Sequence, residues 1–361
     1  MGIRDDRRLG DLGELAQRYL DFAEFDALAE AELGEALKSR VDWNLRQQID
    51  YINSPEVVST DLLGTTHPII SAPMAGVAGG RLAQAVSAAG ALGMIGARGS
   101  ASPGWIAEQA AIAGAGGAPF GIGLMAWVPE LDEQIDAVTA LAGLSRPKLV
   151  SVSFGPLREP VRRLHEWGLL VACQVGNAAD LDEAIRARAD VIVARGGEGG
   201  GHGRDEMGTD EILAAALAAT DRPVVAAGGI ATAEDLARVV SAGAAGAWCG
   251  TPFLTCVEAD NSPEARAALV AADTTCYSRV HDVAQGIAWP REFGGRAVAT
   301  PFVRQWAGQE DAMTDAAKGE YAAGRERGDT DYTPLYAGVG VDRLTAETDA
   351  ASVVRRLVPG S

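Results

Sequence analysis

The sequence predicts an alternating α/β protein: a (βα)8 TIM barrel with a helical extension before it and an excursion plus a closing helix after it. Three observations carry this prediction. Eight short apolar runs begin at Ile69, Leu92, Phe120, Leu149, Leu170, Val191, Val224 and Ala247, roughly 20 to 33 residues apart. They lack the polar alternation of half-exposed strands, as parallel strands covered on both faces do. Alanine-rich amphipathic segments separate most of them, which is the rhythm of strand and helix in turn.

In chain order, residues 1 to 60 form an acidic stretch in which Leu15, Tyr19, Phe22, Leu33 and Leu37 can share one helical face, with Pro55 marking its exit. A helix docked on the barrel or on a partner subunit is expected, a mobile tail being the alternative. The first run ends Ser71-Ala72-Pro73-Met74-Ala75-Gly76. An open dinucleotide-binding sheet would place Gly-x-Gly-x-x-Gly there with an acid about 20 residues on, so a closed barrel over residues 61 to 300 is preferred. The third run is Phe120-Gly121-Ile122-Gly123-Leu124-Met125 and the fifth closes Val171-Ala172-Cys173-Gln174. The sixth reaches Arg195 and opens into Gly196-Gly197-Glu198-Gly199-Gly200-Gly201-His202-Gly203. Residues 301 to 361 then hold a polar, glycine-rich excursion to about Val341, containing Asp329, Asp331, Tyr332 and Pro334, and a closing helix near Ala350 to Val358. The excursion reads as a lid or a plain surface detour.

Composition bounds the function. The chain has 361 residues, 47% of them hydrophobic, enough for a large core. Its 44 glycines cluster at the ends of apolar runs and show no collagen-like period, which points to ordered tight turns. A formal charge of −18 leaves no basic stripe for nucleic acid or an anionic membrane. With no secretion-type apolar leader and no long uncharged apolar stretch, a cytoplasmic protein is expected. Cys173, Cys249, Cys256 and Cys276 lack C-x-x-C spacing and read as small buried hydrophobes, so neither a disulfide framework nor a zinc site is expected.

The seventh and eighth runs carry the first chemical signal. Val224 to Ile230 includes Gly228 and Gly229, and Trp248-Cys249-Gly250-Thr251 follows about one helix later. Glycines at the ends of buried strands let backbone N–H groups approach an anion that any Cβ would hold away. In a (βα)8 barrel the loops after strands seven and eight form such a phosphate site. His202, on a loop almost free of side chains, is the candidate base, because an imidazole exchanges protons near neutral pH. The plainer reading is a loop histidine bonded to a carbonyl. Glu198 and His202 lack the companions a metal needs, so no metal site is expected and Glu198 is read as orienting the loop or the imidazole. His67, His165 and His281 lie before a strand, in a helix and beyond the barrel, away from the chemistry. Cys249 stands where a nucleophile could, but a backbone role is the better reading.

These residues also carry a resemblance. The run from His67 to Gly76, continuing Leu82 to Gly93, together with the His202 loop and the two glycine ends, resembles the nitronate monooxygenase family, formerly called 2-nitropropane dioxygenases, over about residues 60 to 300. That family is similar to type II enoyl-acyl carrier protein reductases and to some NAD(P)H:quinone reductases. The resemblance implies FMN, an alkyl nitronate as small-molecule substrate, with the neutral nitroalkane as an alternative, and dioxygen as oxidant, yielding a carbonyl compound and nitrite; His202 would stabilise the anion, or abstract the α-proton of the nitroalkane. NAD(P)H as reductant is the alternative, with a homodimer as the assembly left open. It places the FMN phosphate on Gly228, Gly229 and the Trp248 to Thr251 segment, and the ring against Ala72, Pro73 and Met74. Gln174 becomes a ring partner, and Gly200 and Gly201 give the backbone room. Two positions depart from the family pattern. Gly123 replaces an asparagine, and Arg195 replaces a glutamine; a guanidinium near the flavin would favour a reduced, anionic ring or hold an acidic substrate group, the direction of the side chain being left open. Gly199, in place of alanine, reads as a minor change.

Overall fold

The computed structural model describes residues 60–358. The expected helix over residues 1 to 60 lies almost wholly outside them. The described chain runs β1 (Ile69–Ser71), α1 (Gly80–Ala88), β2 (Gly93–Gly96), α2 (Pro103–Gly114), β3 (Phe120–Met125), α3 (Leu131–Thr139), β4 (Leu149–Ser153) and α4 (Arg158–Glu166). It continues β5 (Leu170–Val175), α5 (Ala178–Ala187), β6 (Val191–Arg195), β7 (Gly201–Gly203), α6 (Thr209–Ala219), β8 (Val224–Ala227), α7 (Ala233–Ser241) and β9 (Gly246–Cys249). Beyond these lie α8 (Pro263–Ala271), β10 (Thr275–Ser278), α9 (Val280–Gln285), β11 (Gly294–Val298), α10 (Pro301–Trp306), α11 (Asp315–Glu326) and α12 (Ala350–Leu357).

The eight strands β1 to β6, β8 and β9 form one parallel sheet in the order β1-β9-β8-β6-β5-β4-β3-β2. A parallel bridge between Ile70 and Leu92 joins its two ends and closes the barrel. Each expected strand is present, displaced by at most one residue at its start. Every residue of β2, β4, β6, β8 and β9 is buried, because the barrel interior covers one face and the helices the other. Ile70, Met94, Leu149, Val193, Val225 and Trp248 fill the interior. The opposite strand faces pack on helix residues such as Leu82, Ile106, Leu164, Leu181 and Val239. Each fully buried Leu or Val of this kind contributes about 1.5–3 kcal/mol.

Local chemistry sets the helix starts. Ser102 accepts from Trp105 N–H ahead of Pro103, Asn177 caps α5, and Thr232 with Asp235 forms a reciprocal capping box on α7. The closing helix falls where the sequence puts it, with Asp349 as its cap and Val353, Val354 and Leu357 buried against the barrel.

The region after β9 differs from expectation. The barrel strands end at Cys249, and β10, β11 and β7 make a separate three-stranded antiparallel sheet, in the order β10-β11-β7. His202 therefore sits on a strand, paired with Gly295, instead of on an open loop. The 301–341 stretch is a folded cap with its own core of Phe302, Val303, Met313, Ala317 and Tyr321. It is more than a surface detour, since Pro334 and Tyr336 reach the cavity described next. Among the described residues no helix is long and apolar enough to cross a membrane, and no cluster of His, Cys, Asp and Glu could hold a metal ion.

Candidate active site

A cavity of about 800 Å3 lies over the C-terminal ends of the barrel strands and under the cap. That is the end where (βα)8 enzymes place their chemistry, and the size falls in the range of small-molecule sites. Its wall brings together Ala72, Pro73, Met74, Gly123, Gln174, Arg195, Gly200, Gly201, His202, Gly228, Gly229, Trp248, Gly250 and Thr251. Cys249 is the exception: its side chain joins the core between strand and helix, and its carbonyl accepts from Ala72 N–H at 2.8 Å. Burial pushes that thiol up to about 12, so it stays protonated and inert at neutral pH.

The glycine ends of β8 and β9 bring unpaired backbone N–H groups to the cavity wall. Gly228 and Gly229 adopt φ of 111° and 67°, left-handed backbone that favours glycine. Among the described residues, the N–H groups of Gly229, Ile230, Gly250 and Thr251 meet no acceptor. A Cβ on Gly229 would stand in ordinary van der Waals contact with Glu198 Cβ at 3.4 Å and Val339 Cγ2 at 3.5 Å, so it is the left-handed backbone that calls for glycine here. The wall behind is held by the cap, because Gly338 N–H donates to Thr251 Oγ1 at 2.9 Å and Val339 N–H to the Glu198 carbonyl at 3.0 Å.

Glu198 orients the loop and leaves the imidazole alone. Its Oε2 accepts from Thr209 N–H and Oγ1, both at 2.9 Å, which fixes the start of α6. Gly200 lines the cavity, yet the contact that forbids a side chain there is the cap: a Cβ would stand 2.5 Å from Gly338 N. Gly123 has a similar cause. A Cβ there would lie 2.4 Å from Pro73 Cβ, so an asparagine at this position is incompatible with the turn as built.

Arg195 is held by its own loop. Its guanidinium is 3% exposed and turns into the loop, where Nη1 donates to the Arg204 carbonyl at 2.8 Å and Nη2 to the carbonyls of Gly199 at 2.5 Å and Gly201 at 3.0 Å. It clamps the loop backbone through these carbonyls while the residue still lines the cavity wall. Burial draws it down to about 10, which still leaves it charged at neutral pH. Gln174 is half-buried, its N–H bonded to Ser153 Oγ at 3.0 Å, and its side-chain amide has no partner among the described residues. It is thus free to meet a ligand.

The residues around His202 come mostly from segments the sequence did not single out. His202 Nε2 lies 3.0 and 3.1 Å from the two oxygens of Asp282, a carboxylate 1% exposed in α9. The Trp289 ring stacks on the imidazole with centroids 3.7 Å apart and planes 7° from parallel. Tyr336 lies 5.1 Å away, its hydroxyl against Asp282, and burial with that carboxylate drives the phenol well above its usual range. Phe154 and Trp127 extend the aromatic wall through Trp289. The expected carbonyl partner of His202 is therefore a carboxylate. Nothing in the sequence links Asp282 to a histidine 80 residues earlier.

Two further histidines make defined contacts. His165 Nε2 ties α4 to Asp190 at 2.8 Å. His281 is buried with Nδ1 2.9 Å from the Tyr321 hydroxyl and stands outside the cavity wall.

Comparison with known proteins adds an independent line. The nitronate monooxygenase family profile matches residues 56–360. Nitronate monooxygenase npaC of Metarhizium robertsii is 33% identical over 330 residues, covering 80% of this chain and 88% of the relative. Among solved structures, FabK from Thermotoga maritima superposes with a TM-score of 0.72 at 26% identity, over 83% of this chain and 94% of its own. A nitroalkane oxidase from Streptomyces ansochromogenes gives 0.71 at 27% identity, over 82% and 96%.

Proposed function

The chain belongs to the nitronate monooxygenase family and is an oxidoreductase, and from that premise we propose that it uses FMN and dioxygen to oxidise alkyl nitronates to a carbonyl compound and nitrite. One observation carries the reading: a single cavity holds both an acceptor-free backbone cradle and His202. The residues fit FMN. The N–H groups of Gly229, Ile230, Gly250 and Thr251 suit a phosphate, as backbone amides bind anions without side-chain charge. Met74 and the free amide of Gln174 would flank the ring. FMN bound there would supply the electron acceptor and the means of passing electrons to dioxygen.

The chain's own residues do the rest. His202 meets the nitro or nitronate group, its ring plane held by Trp289 and Asp282. Phe154, Trp289 and Tyr336 line that end of the cavity with aromatic surface, which excludes water from a reacting anion. Arg195 keeps the His202 segment in place through its carbonyls. A second reading, an NAD(P)H-dependent reductase of an enoyl thioester or quinone, follows from the family's similarity to type II enoyl-acyl carrier protein reductases. Nitrite release and oxygen uptake with propyl-2-nitronate, measured on the FMN-loaded protein, test the first reading. No nitrite, together with NAD(P)H oxidation coupled to an enoyl or quinone acceptor, would replace it with the second.

A further inference from the structure

We propose that Asp282 is the positioning residue that fixes the tautomer of His202, so that abstraction of the α-proton of a neutral nitroalkane by this ring depends on a carboxylate from α9. The inference rests on the site assigned above but not on the redox step.

A carboxylate as buried as Asp282 needs partners, because an uncompensated buried charge costs several kcal/mol. Its partners are His202 Nε2, at 3.0 and 3.1 Å, and the Tyr336 hydroxyl. The carboxylate accepts, so Nε2 carries the hydrogen and the neutral imidazole keeps its lone pair on Nδ1. Nδ1 has no partner among the described residues, and the ring lines the cavity. Trp289 stacks flat on that ring, which holds the imidazole in one plane. A residue meant only to stabilise a ready-made anion would present an N–H to the cavity. This one presents a proton acceptor.

The step balances without an oxidant. The Cα–H bond of the nitroalkane breaks, the proton goes to Nδ1, and the electron pair remains on carbon and the nitro oxygens as the nitronate. The imidazolium is then stabilised by Asp282, and the reverse step returns a proton, or in D2O a deuteron, to carbon. Hydrogen exchange at the α-carbon therefore reads the effect of Asp282 on the base separately from the redox step.

The test is proton NMR of 2-nitropropane in anaerobic D2O with the full-length, FMN-loaded protein. Loss of the α-proton signal well above the solvent rate is expected. In Asp282→Asn the exchange should fall at least about 100-fold, as when a triad aspartate is replaced by its amide. Oxidation of preformed propyl-2-nitronate by the same variant should fall less than about ten-fold, and Asp282→Glu should recover part of the exchange. Exchange no faster than solvent, or an equal loss for both substrates, would overturn the proposal. If Asp282→Asn does not fold, Tyr336→Phe removes only the hydroxyl on Asp282 and should slow exchange several-fold; no change would count against the proposal. Exchange in this experiment, together with no nitrite when propyl-2-nitronate is supplied in air, would sink the oxidation reading and leave this one standing.

Discussion

The Nε of Arg195 lies 2.7 Å from the point where a Cβ on residue 199 would stand. The arginine and Gly199 are therefore a matched pair, and the glycine that looked like a minor change is the space the guanidinium occupies. Gly203 is bound to the same residue, its Cβ position lying 2.4 Å from Nη1. Overpacking of this kind costs about 1–3 kcal/mol. Gly199→Ala should accordingly lower the melting temperature, while in an Arg195→Gln background the same change should cost at least ~1 kcal/mol less. Additive effects in this double-mutant cycle would show the two positions to be independent.

The proposed anion cradle makes a binding prediction. Gly229 has φ of 67° and its Cβ position is already in contact range of Glu198 and Val339, so Gly229→Val strains the backbone and crowds the β8 end of the cavity. FMN affinity, followed by fluorescence titration of the apoprotein, should weaken at least ten-fold with little change in the far-ultraviolet circular dichroism. Unchanged affinity would move the phosphate away from the β8 and β9 ends.

How far the sequence foretold this arrangement depends on the kind of interaction. The barrel was legible because burial on both faces writes itself as continuous apolar runs. The glycine ends of β8 and β9 were legible as a place where backbone meets the cavity, because paired glycines at the end of a buried strand weaken the strand unless something must come close to its backbone; the phosphate proposed there is what the Gly229 variant tests. The cap sheet was not. Its strand β7 is Gly201-His202-Gly203, which has no intrinsic preference for extended structure and is held by pairing with Gly295, nearly a hundred residues on. Asp282 and Trp289 were hidden for the same reason, since their meaning depends on contacts across that pairing. Arg195 was visible as a departure but its direction was not, because a side chain that long can turn either toward a ligand or back onto its own loop.

His281 provides a pH prediction. Burial draws it down to about 4 from an ordinary 6.5. Above about 6.5 it is neutral in both folded and unfolded chains. As pH falls toward 4 the unfolded chain gains a proton there and the folded one does not, so stability is lost across that window by up to ~3 kcal/mol. Urea midpoints between pH 7 and pH 4 should fall less steeply in His281→Gln than in the wild type. Equal slopes would mean that the buried imidazole does not contribute.

The loop tie of Glu198 can be read separately from chemistry. Glu198→Ala removes the acceptor of Thr209 N–H and Oγ1, a capping loss of about 1 kcal/mol. A fall in melting temperature with FMN still bound is expected. Loss of FMN without a stability change would instead put Glu198 in the cofactor site.

The most direct measurement is an anaerobic stopped-flow comparison in which the FMN-loaded protein meets propyl-2-nitronate in one experiment and NADPH or NADH in another. Nitronate oxidation predicts rapid loss of the visible flavin absorption with the nitronate alone. Bleaching by the nicotinamide alone, with no response to the nitronate, would contradict it and assign the barrel to a reductase.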